Sequence, residues 1–599
     1  MSASTSTDNG VIIRRSLFFL LLVLLTLGNL FILFKGLNSP QSMDQAQIAR
    51  EIARGNGFTT KCIRPAAYFQ AQQAKGDVPF TAFGDTYHAP LNPLINAAVL
   101  KLVGADKPDA WKMGQNQSVF PLDRVIAAVS TVFFLMSIGV SYLLICRIFD
   151  AKIGGVCALL MLLCETFWSF SLSGLPQMLL LLLFSCGAYF TYRAIEESEE
   201  GRTAMTPALL AGVFFTLMAL THWLAVWIAL GYILFAAIAF RPRGVVGISV
   251  LGMLGIASVF TLLRNEGLSA SPLGTAFLVF YKGLGGASSE DIIMRTQDLL
   301  TAPPSIDGLI SKLLSTVLLQ GTDLPRFLGG IVIAPLFFIT LLHPFRRKPI
   351  ALFRWAILLM WLVGAFGMAI FGVSTKDPLD PNQLHLVFAP VMTAYGLAFL
   401  SILWSRLEVV VKNPMLRNVH HYLVVLVCTA PFFLALPMKV RIGFELRDRG
   451  GVPWWPPYYA PALNLALKNW IKPDQLCFAD QPWAVAWYAD RMSVWLPTNK
   501  DGFDKLETAA SELGTPSVGI LITPMSYGMS DVRELSAQYN DLTPLVLDSR
   551  TILATQPSSV TLLDKAPKLQ SLAKRYPYRT PLLGIDMLYY SDRPIVRSE

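Results

Sequence analysis

The sequence predicts a polytopic α-helical membrane protein of about eleven transmembrane helices with a C-terminal extracytoplasmic α/β domain. Three observations predict it. The chain of 599 residues is 53% hydrophobic and only 15% charged, whereas soluble domains are about 25% charged. Several uncharged apolar runs reach the ~18 residues needed to cross hydrocarbon. The last part of the chain exchanges these runs for short alternating strand and helix patterns. The net charge of +9 is no nucleic-acid signal, because the basic residues gather in short loops between apolar runs.

The apolar runs lie near 16–35, 124–145, 154–172, 175–193, 207–221, 223–240, 244–263, 327–342, 351–372, 384–404 and 419–437. The first follows Arg14-Arg15 and is long for a signal peptide, and Gly28-Asn29-Leu30-Phe31 is unlike a small-residue cleavage site, so it reads as a retained span with a cytoplasmic N-terminus. The inside loops then hold Arg147 and Lys152, Arg193 and Arg202, Arg241 and Arg243, Arg346-Arg347-Lys348, and Arg406, Lys412 and Arg417. That is the positive-inside bias at every turn.

Residues 1–437 therefore form a transmembrane domain with polar external loops at 36–123 and 264–326, and 438–599 form the extracytoplasmic domain. The first loop opens with a helix. Ser42 and Gln45 have capping-box spacing, and alanines and isoleucines follow at helical intervals. Leu91 to Val103 reads as an amphipathic helix along the membrane surface. The aromatic run Pro453-Trp454-Trp455-Pro456-Pro457-Tyr458-Tyr459 suits an interface. Strands at 475–479, 493–496 and 518–523 then alternate with helices at 482–489, 503–513 and 532–539, which predicts a partly parallel sheet. No Gly-rich phosphate loop follows a strand, so no nucleotide is assigned.

Cys146, Cys157, Cys164, Cys186 and Cys428 sit in or beside apolar runs and read as small core residues. Cys62 and Cys477 both fall outside, where a disulfide between them is one option. No C-x-x-C or other metal spacing occurs. Asn116-Gln117-Ser118 is a lone glycosylation acceptor pattern.

Asp44 is the first chemistry-bearing candidate. It reads either as an acid in a first helical turn facing the positive end of the helix dipole, or as a carboxylate at the lipid boundary placed to accept a proton from an attacking hydroxyl. His88 reads as a loop histidine before a proline, as a donor to a phosphate, or as an occasional metal ligand. Lys61, Arg64, Arg264, Lys282 and Lys376 are cations on the outer face, against the positive-inside preference, and suit a phosphate at the membrane surface. Each also reads as a solvated or structural charge. His222-Trp223 reads as an interfacial pair between short spans.

Two segments of the first loop, Asp44-Gln45-Ala46-Gln47-Ile48-Ala49-Arg50-Glu51-Ile52-Ala53-Arg54-Gly55-Asn56-Gly57-Phe58 and His88-Ala89-Pro90-Leu91-Asn92-Pro93-Leu94, resemble the C-type membrane glycosyltransferases. Within them they are similar to glycosyltransferase family 39, the protein O-mannosyltransferases and lipid A aminoarabinose transferases. That family opens its first external loop with an Asp-Glu motif and a helix and closes it with a His/Lys-Pro-Pro-like motif. Arg264-Asn265 resembles the family's Arg-Asn, and Gln383-Leu384-His385-Leu386-Val387-Phe388-Ala389-Pro390 resembles its Arg-Tyr-x-x-x-x-x-Pro segment. The likeness weakens over the remaining membrane part to about residue 437. The chain departs at Gln45, which replaces the second acid, and at Gly174-Leu175-Pro176-Gln177, where relatives often carry an acid. Glu165, one span earlier, is the candidate substitute. His385 stands where an arginine or tyrosine is expected.

The resemblance implies an enzyme, an inverting transferase on the extracytoplasmic face of a bacterial inner membrane. Its implied partners are a polyprenyl-phosphate sugar donor and a lipid, glycan or protein acceptor. Asp44 would be the base with Glu165 as partner acid, and His88, Arg264, Lys61, Arg64, Lys282 and His385 would bind substrate. Some relatives use a divalent metal, but this sequence does not demand one. A transporter is the first alternative, though few intramembrane charges and no repeat symmetry support it. A non-enzymatic scaffold presenting the C-terminal domain is the second.

Overall fold

A computed structural model describes residues 4–107, 111–114, 117–284, 289–297, 305–373, 379–448, 460–529, 531–555, 562–582 and 587–595. Among them seven helices are long and apolar enough to cross a membrane: Arg15–Leu33, Pro121–Ile148, Gln177–Glu199, Val245–Ser269, Lys348–Phe371, His385–Ser405 and Met415–Arg441. Ala151–Leu162 and Glu165–Ser173, bent by 57° at the break, are together long and apolar enough to count as an eighth. Met205–Thr221 and Ala225–Ala239 are apolar but shorter, and they turn at His222. In their most apolar stretches 78% of Gln177–Glu199 and 72% of His385–Ser405 is buried, against 11% of Arg15–Leu33 and 17% of Met415–Arg441, so the first pair forms the centre and the second pair the periphery. Small residues set how closely the helices approach. A Cβ on Gly231 would lie 2.7 Å from the Met360 Cα, so two helices meet backbone to backbone there.

Of the eleven expected spans, 154–172 is broken into two helices and 327–342 is not a regular helix. The latter runs as Leu324–Phe327, a series of turns and Leu336–Thr340. Gly329 and Gly330 both take positive φ, and Pro335 cannot continue a helix begun before it. Irregular backbone at this depth is tolerated where protein surrounds it, and Leu328, Ile331, Ala334 and Phe337 are buried. Ile306–Thr322, expected within an external loop, packs along Lys348–Phe371, where the Gln320 amide donates to the Ala365 carbonyl at 3.1 Å.

The sheet has six strands in the order Cys62–Ile63, Met492–Trp495, Leu476–Ala479, Ser517–Ile522, Leu588–Ser591 and Tyr578–Pro581. The first four are parallel and the last two antiparallel. The edge strand Cys62–Ile63 comes from the first loop, which places loop and C-terminal domain on one face of the membrane part. The last span also runs past residue 437, as a helix to Asp448. Cys62 and Cys477 are free and buried; both register with Ser493, one on each side, so a whole strand separates them and no disulfide joins them. Asn116, Lys376 and the 453–459 aromatic run lie outside the described residues.

Candidate active site

The first-loop helix runs Pro40–Ala53. Pro40 suits a first helical position. The helix therefore starts before the expected capping box; its N-cap Ser39 makes no side-chain cap, and Ser42 donates back to the Ser39 carbonyl at 2.7 Å. Asp44 falls in the second turn, beyond the reach of a first-turn dipole. Side chains hold it instead. Arg64 Nη2 lies 2.5 Å from Asp44 Oδ2, and the Gln47 amide donates to Oδ1 at 3.0 Å. Gln47 also donates to Thr60 at 2.6 Å and accepts from the Lys61 backbone N–H at 3.0 Å, tying the helix to the following strand.

Asp85 completes the cluster. Its Oδ1 lies 3.7 Å from Arg64 Nη1, so Arg64 stands between two carboxylates. Its Oδ2 accepts from the His88 backbone N–H at 2.8 Å and lies 3.3 Å from His88 Nδ1. The other ring nitrogen of His88, Nε2, is 3.8 Å from Asp44 Oδ2 and is a buried atom without a hydrogen-bond partner. Burial alone would raise the Asp85 pKa, but the His88 ring and its hydrogen bonds, with Arg64, hold it well below the usual carboxylate range. Burial opposes the Arg64 charge as well, and Asp44 and Asp85 more than offset that. His222 lies in the turn between two short helices; burial first and the neighbouring His88 second push its pKa down to about 3.

Around this core stand groups from other elements. Arg264 donates to the Asp85 carbonyl at 2.6 Å and covers the Phe58 ring at 4.3 Å, with its Nε buried and unpartnered. The Tyr87 ring lies 4.2 Å beneath Arg64, and its hydroxyl donates to Glu290 of the second loop. Asn382 donates to the other Glu290 oxygen at 3.2 Å. The Gln45 carbonyl oxygen accepts from Asn92 at 2.6 Å, so the position that lacks the second acid links the loop's two motifs. Asp44, Arg64, Asp85 and His88 are all buried, and Asp44 is only 1% exposed.

The structure thus brings together Asp44, Arg64, His88 and Arg264. It places the other expected residues elsewhere. Glu165 heads the second helix of the bent pair and pairs with Lys439 at 2.5 Å rather than with Asp44. Lys61 belongs to a second ionic group, 2.6 Å from Asp490 and 3.1 Å from Glu51. Lys282 lies beside Gly372. His385 is fully buried among the spans, where Trp361 donates to its Nδ1 at 3.0 Å and its Nε2 donates to Gln320 at 2.8 Å. With both ring nitrogens engaged, His385 has no atom free to meet a substrate.

Sequence reading missed Asp85, Glu290 and Asp123. For Asp85 a signal exists, since an Asp three residues before His88 is the spacing of a side-chain turn cap. Asp123 accepts from the Leu37 backbone N–H, Trp487 Nε1 and the Tyr488 hydroxyl at 3.3, 2.7 and 3.0 Å, and nothing local in the sequence marks it. Among the described residues no group of three or more His, Cys, Asp or Glu is arranged for a metal ion. With the Arg64 guanidinium between the two carboxylates, the donor set of this state does not fit a divalent cation.

No family model and no curated protein matches the chain. Among solved structures it is similar to ArnT from Cupriavidus metallidurans bound to undecaprenyl phosphate, with 14% identity, a TM-score of 0.45, and 85% of this chain and 94% of that one covered. It is also similar to the oligosaccharyltransferase AglB from Archaeoglobus fulgidus in complex with an inhibitory peptide and a dolichol-phosphate, with 13% identity, a TM-score of 0.47, and 90% and 72% covered. At these values the likeness concerns the course of the chain, and residue roles are argued from this chain's own geometry.

Proposed function

We propose that the chain is an extracytoplasmic membrane glycosyltransferase that moves a sugar from a polyprenyl-phosphate donor to an acceptor hydroxyl, in a bacterial inner membrane with its N-terminus cytoplasmic. One observation carries this reading: Asp44, Arg64, Asp85, His88 and Arg264, drawn from one loop and the end of one span, converge at the face that bears the loops. An acid-base and phosphate-binding set at a membrane boundary suits a lipid-linked substrate. The acceptor oxygen attacks the anomeric carbon as the bond from that carbon to the phosphate oxygen breaks. The lipid phosphate leaves, the acceptor proton passes to Asp44, and one displacement inverts the centre. The leaving group is already a good one, so positioning and one base suffice. In this state Arg64 occupies Asp44 Oδ2. Donor binding would draw Arg64 and Arg264 toward the phosphate, leaving that oxygen free and His88 Nε2 supplied with a partner.

The burial of Asp44 favours a second reading, in which the cluster is a structural clamp of a scaffold. Asp44→Asn in purified protein separates the two. The transferase reading expects transfer from polyprenyl-phosphate sugar to fall by about 10²-fold or more, with an unchanged melting profile. Full transfer by the variant sinks it. A variant that unfolds, beside a wild type that turns over no lipid-linked sugar, establishes the clamp.

A further inference from the structure

Lys282 and Lys312 form a second cationic site, apart from the Asp44 cluster. Lys282 follows the 3-10 helix Thr275–Tyr281, and Lys312 lies midway along Ile306–Thr322. Lys312 is buried, its ammonium donating to the Phe280 carbonyl at 2.7 Å and lying 5.6 Å from the centre of the Phe280 ring. The Lys282 stem runs over Gly372, the cap of the Lys348–Phe371 span; a Cβ there would come within 3.2 Å of Lys282 Cδ. The Phe280 carbonyl that holds the Lys312 ammonium lies two residues before Lys282, so the two cations share one neighbourhood and each disfavours the other's charge. Among the described residues neither is paired with a carboxylate.

Burying one ammonium is costly unless an anion compensates it, and a second cation beside it adds to the cost. The surroundings indicate which anion. Ile306, Ile310, Leu314, Val317 and Leu318 are exposed at helical spacing on the face of Ile306–Thr322 opposite Lys312. Such a stripe belongs against hydrocarbon, so the lysines sit behind a lipid-facing helix, at the level where a span ends. Headgroup phosphates occupy that level, and lysine is a suitable point-charge binder for them. We propose that Lys282 and Lys312 bind the phosphate group of a membrane lipid where Ile306–Thr322, the end of Thr275–Tyr281 and the Gly372 end of the span meet. The site does not depend on the transferase reading, because it shares no residue with the Asp44 cluster.

Native mass spectrometry of the full chain released from detergent tests it, with undecaprenyl phosphate, phosphatidylglycerol and uncharged diacylglycerol as probes. The wild type should retain a phosphate-bearing probe over diacylglycerol. Lys282→Gln with Lys312→Gln should lower that retention about tenfold, and Lys282→Arg with Lys312→Arg should restore most of it. Loss for both phosphate lipids identifies a general headgroup site, and loss for undecaprenyl phosphate alone identifies a site for the carrier. Should Lys312→Gln fail to fold, Lys282→Gln, at a less buried position, carries the test. Equal retention of both phosphate lipids by wild type and folded variant overturns the proposal.

Discussion

Asp490 is where the first loop and the C-terminal domain are tied by charge. Arg50, Arg54 and Lys61 approach its carboxylate at 3.1, 2.9 and 2.6 Å, and Arg50 also donates to the carbonyls of Ala486 and Trp487. Burial works against the ionised Asp490, yet the three cations hold its pKa far below the ordinary carboxylate value. A depressed pKa contributes stability that is complete above the unfolded value near ~4 and is lost as pH falls below it. Melting temperature should therefore drop between about pH 5 and pH 3. Asp490→Asn should lower it at neutral pH by the equivalent of about 3 kcal/mol, the usual cost of breaking a buried pair, and flatten the acid dependence. An unchanged acid profile would show that other carboxylates control it. At Arg264 the measurement is kinetic. Arg264→Met should raise the KM for the donor about tenfold or more with a smaller change in kcat, because a phosphate contact acts in the ground state as well as in the transition state. A change in kcat alone would move Arg264 out of donor binding.

Among elements, the junction of the two loops turns on Gly274. Its φ is +65°, and a Cβ there would lie 2.2 Å from the Thr86 carbonyl oxygen, beside the Thr86–Thr275 hydroxyl pair at 2.7 Å. Gly274→Ala should separate the loops, costing at least 1–3 kcal/mol, and limited proteolysis should then cut near residue 275 faster than in the wild type. Equal cutting rates would show that the junction adapts. Elements of this kind differ in how far the sequence reveals them. The strands at Leu476–Ala479, Met492–Trp495 and Ser517–Ile522 and the helix Val532–Tyr539 fall within a residue or so of their expected ranges, because apolar alternation and helical spacing are local signals. The strands Tyr578–Pro581 and Leu588–Ser591 went unread, since a short antiparallel pair at a sheet edge owes its form to its neighbour. The same division runs through the candidate site. Asp44 and His88 are visible through their motifs. Glu290 is not, because its place beneath Tyr87 depends on how two loops more than 200 residues apart are packed.

For the whole molecule, the membrane part and the soluble domain are not separable units. Asp123 at the head of one span holds Trp487 and Tyr488, and the loop supplies an edge strand to the sheet. A chain ended after residue 448 keeps every span but loses five of the six strands. It should insert, yet its first loop should become protease-sensitive and its accumulation should fall severalfold by immunoblot. A truncated chain whose loop resists protease as well as the full chain does would show that the loop folds alone.

The Cys62–Ile63 strand also sets a timetable. Arg50, on the helix just before it, finds its carbonyl partner at Trp487, a sequence separation of 437. At synthesis rates of about 5–20 residues per second, the loop waits on the order of half a minute, half-made, for the polypeptide that completes it. Any chaperone that guards this chain during its manufacture has its longest task at the Pro40–Ala53 helix.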